Sequence, residues 1–429
     1  MLEEFRRSLV PAVNDRFFYG WTLVGVASLA LFASGPGQSH TFGVFSPEIS
    51  RDLGITTTEI TMAYGLATLV AAFALPLMGR LVDRFGPRCM LIAIVLLLGL
   101  SCLFFGAAAN LLWLSLGFAI LRFLGQGSLA LACANMISHW FSRSRGFAMS
   151  LMAAGFGVSI FVHPFLSQTL LELYDWRTAW VILGVMTWVL MLPPVIVLVF
   201  DRPEPLGLRP DGDAPAADAA TAEAEADIPG LTLQEALRTP TFYILTFGWT
   251  AIAGLVTLLH YHQKLLLTGQ GIDVDLAVSA FSVTAISMLV AMPFVGRLFD
   301  RFRTRYVYGA ALVLTGLSLI AVTLVDDTAT LVAYAILFGI NNAFSMTVFG
   351  YIWPRYFGRR HLGSIQGVGQ MVGVVGASLG PLPVGLAIDL GWDPAATVQS
   401  LALYPFLAAA ITILFIRAPA GLTESAHLE

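Results

Sequence analysis

The cluster Gly79-Arg80-Leu81-Val82-Asp83-Arg84-Phe85-Gly86-Pro87-Arg88 returns 217 residues later as Gly296-Arg297-Leu298-Phe299-Asp300-Arg301-Phe302-Arg303-Thr304-Arg305. Each copy is a short charged stretch between two long apolar runs. A chain that repeats such a turn in both parts folds as two homologous halves of a membrane protein. The apolar runs leave little choice of local structure. A backbone in lipid must satisfy its own hydrogen bonds, so runs of roughly 20 apolar residues are helices.

The residue content agrees. Of 429 residues, 57% are hydrophobic and only 12% are charged, against roughly 25% charged in soluble domains. A net charge of −4 gives no nucleic-acid footprint. Cys89, Cys102 and Cys133 have no metal-ligand spacing and read as small buried hydrophobes. No metal or other cofactor is expected. The first apolar run is too long for a signal-peptide core, so no cleavable leader is expected.

Twelve spans are predicted, at 20–45, 58–78, 89–109, 112–137, 147–171, 177–200, 241–266, 276–298, 306–325, 329–353, 362–388 and 396–416. The expected fold is an all-α integral membrane protein with two pseudo-symmetric six-helix bundles, 20–200 and 241–417. An N-terminal segment (1–19), a linker (201–240) and a tail (418–429) flank them. The linker is rich in Pro, Ala, Asp and Glu, which predicts a flexible acidic segment with an amphipathic patch near Leu231–Leu237. Arginines collect on the side of the termini: Arg80, Arg84, Arg88, Arg143, Arg145, Arg297, Arg301, Arg303, Arg305, Arg355, Arg359 and Arg360. By the positive-inside rule both termini are cytoplasmic. A bacterial inner membrane is the expected location. Oligomeric state is open, a monomer included.

The repeat extends beyond one cluster. Trp140-Phe141-Ser142-Arg143 opens span five and Tyr356-Phe357-Gly358-Arg359 opens span eleven. His163-Pro164 and Gly380-Pro381 stand at the same offset. With the G-x-L-x-D-R-x-x-x-R cluster, the chain resembles the major facilitator superfamily over nearly its whole length. The resemblance implies a conformational gate at Gly79, Asp83, Arg84 and Arg88 and at Gly296, Asp300, Arg301 and Arg305. The acid and arginines would make charge and helix-end contacts there. Tyr19-Gly20-Trp21, Phe42-Gly43-Val44-Phe45 and the stretch from Trp140 to Ala148 resemble the monocarboxylate transporter and oxalate/formate antiporter group. Two departures stand out. The group's span-one lysine falls at His40. Its span-eight charged positions fall near Met288 and Met292, so the usual carboxylate anchor is missing or has moved.

Polar residues in lipid are costly and normally face a cavity or a partner. His40 follows Gly35-Pro36-Gly37, a predicted break in span one, and could meet a carboxylate and change charge near neutral pH. A histidine satisfied by a carbonyl is the bland alternative. His260 lies one turn beyond the position related to His40 by the repeat. Both histidines are substrate-binding and proton-coupling candidates. Lys264, the only lysine, reads equally as a snorkelling residue. Arg122 precedes Gly125-Gln126-Gly127, a loose match to the superfamily's span-four arginine motif with its glycines one residue out of place. It reads equally as an anion anchor and as a structural pair. Asn341, Asn342, Tyr351, Gln366 and Gln370 complete the binding candidates, with interhelical hydrogen bonding as their commoner use. No carboxylate lies mid-span, and no nucleophile–base constellation suggests an enzyme. The expected function is transport of a small organic acid, a monocarboxylate, with a proton. A neutral or weakly polar metabolite, anion exchange and a non-transporting sensor are the alternatives.

Overall fold

The computed structural model describes residues 2–55, 57–212 and 230–417. Eleven of its helices are long and apolar enough to cross a membrane. A further span comes first in the chain, in pieces: Gly20–Ala33, a 3-10 turn Gly35–Gly37, and Ser39–Leu53. The twelve expected spans are therefore present in order. Most run longer than their apolar cores, because a helix continues through the interface until a breaker stops it. Span two runs Thr57–Phe85 and ends at Gly86, whose φ of 81° favours glycine, with Pro87 opening span three. The first charged cluster is thus mainly the last turns of a helix rather than a loop.

An amphipathic helix, α1 (Leu2–Asn14), precedes span one. Arg6 anchors it, donating to the carbonyls of Val197 (3.1 Å) and Val199 (2.6 Å) at the end of span six. Tyr19 donates to Leu198 O, and Thr241 at the start of span seven donates to Arg417 O. One face of the molecule, the terminal end, therefore gathers α1, the described ends of the linker and residue 417.

Span two lies along span eleven, and span five along span eight. Small residues allow the approach. A Cβ on Gly79 would fall 2.1 Å from Gly363 O, and one on Gly146 would fall 2.5 Å from Gly296 O. The described linker is not featureless. Thr232 and Glu235 form a capping box on Leu233–Ala236, within the predicted amphipathic patch. Asp211 receives the backbone N–H groups of Ser142, Arg143 and Ser144. Cys102 and Cys133 are buried, but Cys89 is exposed, contrary to expectation. It sits in the first turn of span three, where the helix leaves the packed interior.

Candidate functional site

Two irregular turns meet in the middle of the N-terminal half. Span one breaks at Gly35–Gly37, as Gly-Pro-Gly predicts. Span four breaks its α pattern with a π-helical segment, Arg122–Ser128, between Leu111–Leu121 and Leu129–Trp140. The turns touch backbone to backbone. A Cβ on Gly37 would lie 2.6 Å from Leu121 O and 2.7 Å from Gly125 Cα. Gln38 Nε2 bridges them, donating to Ser34 Oγ (3.0 Å) and Gly125 O (3.4 Å). Broken helices free backbone groups for ligands, and π turns collect at functional sites.

Arg122 sits at this junction. Its side chain is buried, with Nη1 donating to Gly37 O (3.0 Å) and Ser39 Oγ (3.4 Å), and Nε donating to Thr68 Oγ1 (3.2 Å). The guanidinium also lies 5.0 Å from the Tyr64 ring centre. Tyr64 and Ser39 share a hydrogen bond of 2.6 Å. No carboxylate pairs with Arg122 among the described residues. Arg122 is buried, while Ser39 beside it is exposed and Tyr64 and His40 are half-buried. The expected structural pairing to a carbonyl is present, and the charge itself remains uncompensated.

His40 lies beside this group. Its Nε2 is 3.3 Å from Ser159 Oγ, and Ser159 Oγ is 3.1 Å from His163 Nδ1. The two imidazole centres are 6.1 Å apart. His163 stands out in the sequence for its place in the repeat and as a polar residue within a span, whereas Ser159 does not. Their four-residue spacing was the available signal, since it puts both on one face of span five.

The C-terminal half is built differently. His260 Nδ1 is 2.9 Å from Val256 O, and its ring packs on Phe338, centres 4.8 Å apart. Among the described residues no hydrogen bond or ring contact joins it to His40. The repeat relates Arg122 to Gly339. There, span ten packs closely on span eight: a Cβ on Gly339 would lie 2.6 Å from Thr284 O and 3.0 Å from Met288 N. Met288 and Met292 are buried. The half that would carry the group's span-eight arginine is packed shut at the level where the other half holds Arg122.

Several binding candidates are used elsewhere. Tyr351 donates to Phe299 O (2.6 Å), beside Asp300, so it belongs to the terminal end. Asn341 accepts from Thr315 of span nine (3.0 Å) and ties two helices of one half. Asn342 Nδ2 donates to Phe338 O. Gln366 is fully buried, with neither amide atom partnered among the described residues, and Gln370 is half-buried. The Lys264 side chain lies outside what is described. Among the described residues no cluster of His, Cys, Asp or Glu could hold a metal ion.

The repeated clusters form a matched pair of contacts at the terminal end. Asp83 accepts from the backbone N–H groups of Gly363 and Ser364 (both 2.7 Å) and from Ser364 Oγ (2.5 Å). Asp300 accepts from those of Gly146 (2.6 Å) and Phe147 (2.8 Å). The repeat offset carries each acid and its partner amides onto the other set. Carboxylates at helix N-termini satisfy orphan donors and complement the helix dipole. Of the arginines in the two clusters, Arg297 crosses between the halves, its guanidinium 4.5 Å from the Phe147 ring centre, while the described contacts of the four gate arginines stay within their own half. Arg84 lies over Phe85 and Arg305 over Tyr306. Arg88 donates to Asp201 and Ile196 O of its own half, and Arg301 is exposed. The acids, closing on helix ends, make crossing hydrogen bonds, and Arg359 adds another by donating to His139 O (2.7 Å).

Comparison with known proteins agrees with this architecture. The chain is 27% identical over 388 residues to Monocarboxylate transporter 11 of Mus musculus, covering 87% of this chain and 82% of the relative. It is 25% identical over 426 residues to the 4-hydroxybenzoate transporter PcaK of Pseudomonas aeruginosa, covering 92% of each. The solved structure of the proton:xylose symporter XylE superposes with a TM-score of 0.72 at 11% identity, over 93% of this chain and 96% of that one, a likeness of fold. The sequence profile described as Major Facilitator Superfamily matches residues 27–268 and again residues 261–427. With its two halves, repeated acid clusters and twelve spans, the chain belongs to the Major Facilitator Superfamily.

Proposed function

We propose that this transporter carries a small organic anion, a monocarboxylate, together with a proton, by alternating access. The observation that carries the reading is Arg122: a buried guanidinium inside the N-terminal half, braced by Gly37 O, Thr68 and Ser39, with no carboxylate partner among the described residues. An unpaired buried cation is costly, and an anionic cargo supplies the missing charge. The carboxylate would meet Arg122 with Ser39 and Tyr64 beside it. His40 would offer Nδ1, the ring nitrogen not directed at Ser159. Relatives named for a monocarboxylate and for 4-hydroxybenzoate support a carboxylate cargo.

In this reading Arg122 takes over the role of the group's span-eight arginine, from the opposite half. The arginine distribution supports termini in the cytoplasm of a bacterial cell, which would make the end closed by Asp83 and Asp300 the cytoplasmic gate. Cargo and proton enter from the other side, and release follows when those helix-end contacts open.

The test is uptake by the purified protein in proteoliposomes under an acid-outside pH gradient, with labelled lactate and 4-hydroxybenzoate as probes and xylose as the neutral comparator. The expected result is accumulation of at least one acid, abolished when the gradient is dissipated. Uptake of xylose with neither acid would overturn the reading. Acid uptake that depends on internal acid and ignores the gradient would replace symport by exchange.

A further inference from the structure

We propose that His40, Ser159 and His163 act as one hydrogen-bonded proton-binding unit that couples protonation to the position of the second half of span one. The proposal rests on the proton-coupled reading for its transport consequence, while the unit stands on geometry.

A serine hydroxyl has one hydrogen and two lone pairs. Lying 3.3 Å from His40 Nε2 and 3.1 Å from His163 Nδ1, Ser159 Oγ can donate to one imidazole only, and then accepts from the other. When both bonds form, the tautomer of one ring sets that of its partner, with the Ser159 backbone carbonyl as a second acceptor for His163. A proton arriving on one ring is shared by moving hydrogens along the chain: His163 Nδ1–H passes to Ser159 Oγ as the serine hydrogen passes to His40 Nε2. The serine ends neutral and the net charge moves from one ring to the other. The reverse shift returns it. Two charged rings 6.1 Å apart would repel, and Arg122 of span four adds a third positive charge on their side. Tyr64 of span two, under the Arg122 guanidinium and hydrogen-bonded to Ser39, is a further titratable group in the junction. The arrangement takes up one proton, not two.

The unit also spans a joint. His40 belongs to Ser39–Leu53, beyond the break in span one. His163 packs against the part before it and against the break itself: its ring centre is 5.0 Å from that of Phe32, and a Cβ on Gly35 would lie 2.1 Å from the ring. Ser159 and His163 ride on span five, which packs along Gly20–Ala33. A shift of the outer piece of span one stretches the His40–Ser159 hydrogen bond, the longer of the two. Whether that bond holds depends on how its hydrogens are arranged, and that is the coupling.

Two measurements test this on the full-length protein. The first needs no substrate: histidine labelled with 15N is followed by NMR against pH, with signals assigned by single histidine substitutions. Ser159→Ala and His163→Gln are each expected to move the His40 titration midpoint by about one pH unit. If both variants leave it within about 0.2 of a unit, the unit does not exist. The second uses lactate and 4-hydroxybenzoate in proteoliposomes. Ser159→Ala is expected to lower accumulation driven by a pH gradient about 10-fold while exchange of the same acid stays within about 2-fold. An equal fall in both modes would overturn the coupling role. A wild-type protein that accumulates neither acid would instead refute proton-coupled transport and leave the NMR result to decide the unit.

Discussion

Arg122→Gln is the most direct test of the anion site, because the structure separates its effect on binding from its effect on folding. The wild-type guanidinium makes one short hydrogen bond, 3.0 Å to Gly37 O, and two longer ones, 3.2 Å to Thr68 and 3.4 Å to Ser39. Removing the short one leaves a carbonyl without its partner, at a cost of about 1–2 kcal/mol. Removing a desolvated cation returns a comparable amount, so net stability should change by no more than about 1 kcal/mol. Anion binding has no such compensation. A charge-assisted hydrogen bond in a buried site is worth about 3 kcal/mol, so its removal should weaken affinity roughly 100-fold. Arg122→Lys keeps the charge but cannot reproduce the fork that reaches Gly37, Ser39 and Thr68 together, so an intermediate weakening of about 10-fold is expected. The assay is KM for the transported acid, paired with protection of the protein by that acid in thermal unfolding. A folded Arg122→Gln protein with KM and protection within about 3-fold of wild type would refute the assignment of Arg122 as the anchor.

Three further outcomes follow from the terminal end. Asp83→Asn and Asp300→Asn should each shift the equilibrium toward opening of that end by about 1–2 kcal/mol, read as thiol accessibility of cysteines placed beside Gly363 or Gly146. Asp83 should have the larger effect, because Ser364 adds a hydroxyl bond that Phe147 cannot supply. Gly79→Ala should block closure, since its Cβ would fall 2.1 Å from Gly363 O, and the same accessibility assay should report a permanently open terminal end. Asp201 lies just past span six, where burial raises its carboxyl above the ordinary range despite the Arg88 N–H and nearby arginines. A raised folded value means its contribution is present at acid pH and lost as pH rises through that value. The Asp201 contribution to melting temperature should therefore fall as pH rises from the ordinary carboxylate value through its raised one and level off above it, and Asp201→Asn should flatten that part of the profile relative to wild type. An unchanged slope would refute it.

Most of the fold was legible because lipid removes alternatives: an apolar run of sufficient length has to be a helix, and Gly35-Pro36-Gly37 inside one has to break it. The repeat located the gate acids but not their partners. Neighbouring arginines within each cluster suggested charge contacts, whereas the acids reach backbone amides 280 residues away at Gly363 and 154 away at Gly146. Composition carries no record of such distances. Side-chain direction was equally hidden. Tyr351 and Asn341 are polar residues in lipid, as a site requires, yet their bonds run to Phe299 and Thr315 within their own half. Only packing tells a residue facing the central interface from one joining two helices.

The misplaced glycines of span four show how a sequence irregularity can be a structural instruction. On an α-helix a glycine five residues after Arg122 is turned away from the face where one four residues after would lie. A π turn closes its hydrogen bonds from i to i+5, so the extra residue is absorbed and Gly127 recovers that face. There a Cβ would meet the Leu75 side chain at 2.3 Å, which shows how tightly span two packs against this turn. The same bulge brings Gly125 onto Gly37, and Gly37 is the residue whose carbonyl braces Arg122. The one-residue discrepancy that weakened the motif as a family signature thus falls within the π turn that builds the junction holding the buried cation. Deleting Gln126 should restore a regular helix and separate the two glycines. Anion-dependent thermal protection should then vanish even with Arg122 intact; protection as strong as wild type in the deletion variant would show that the π turn has no part in the site.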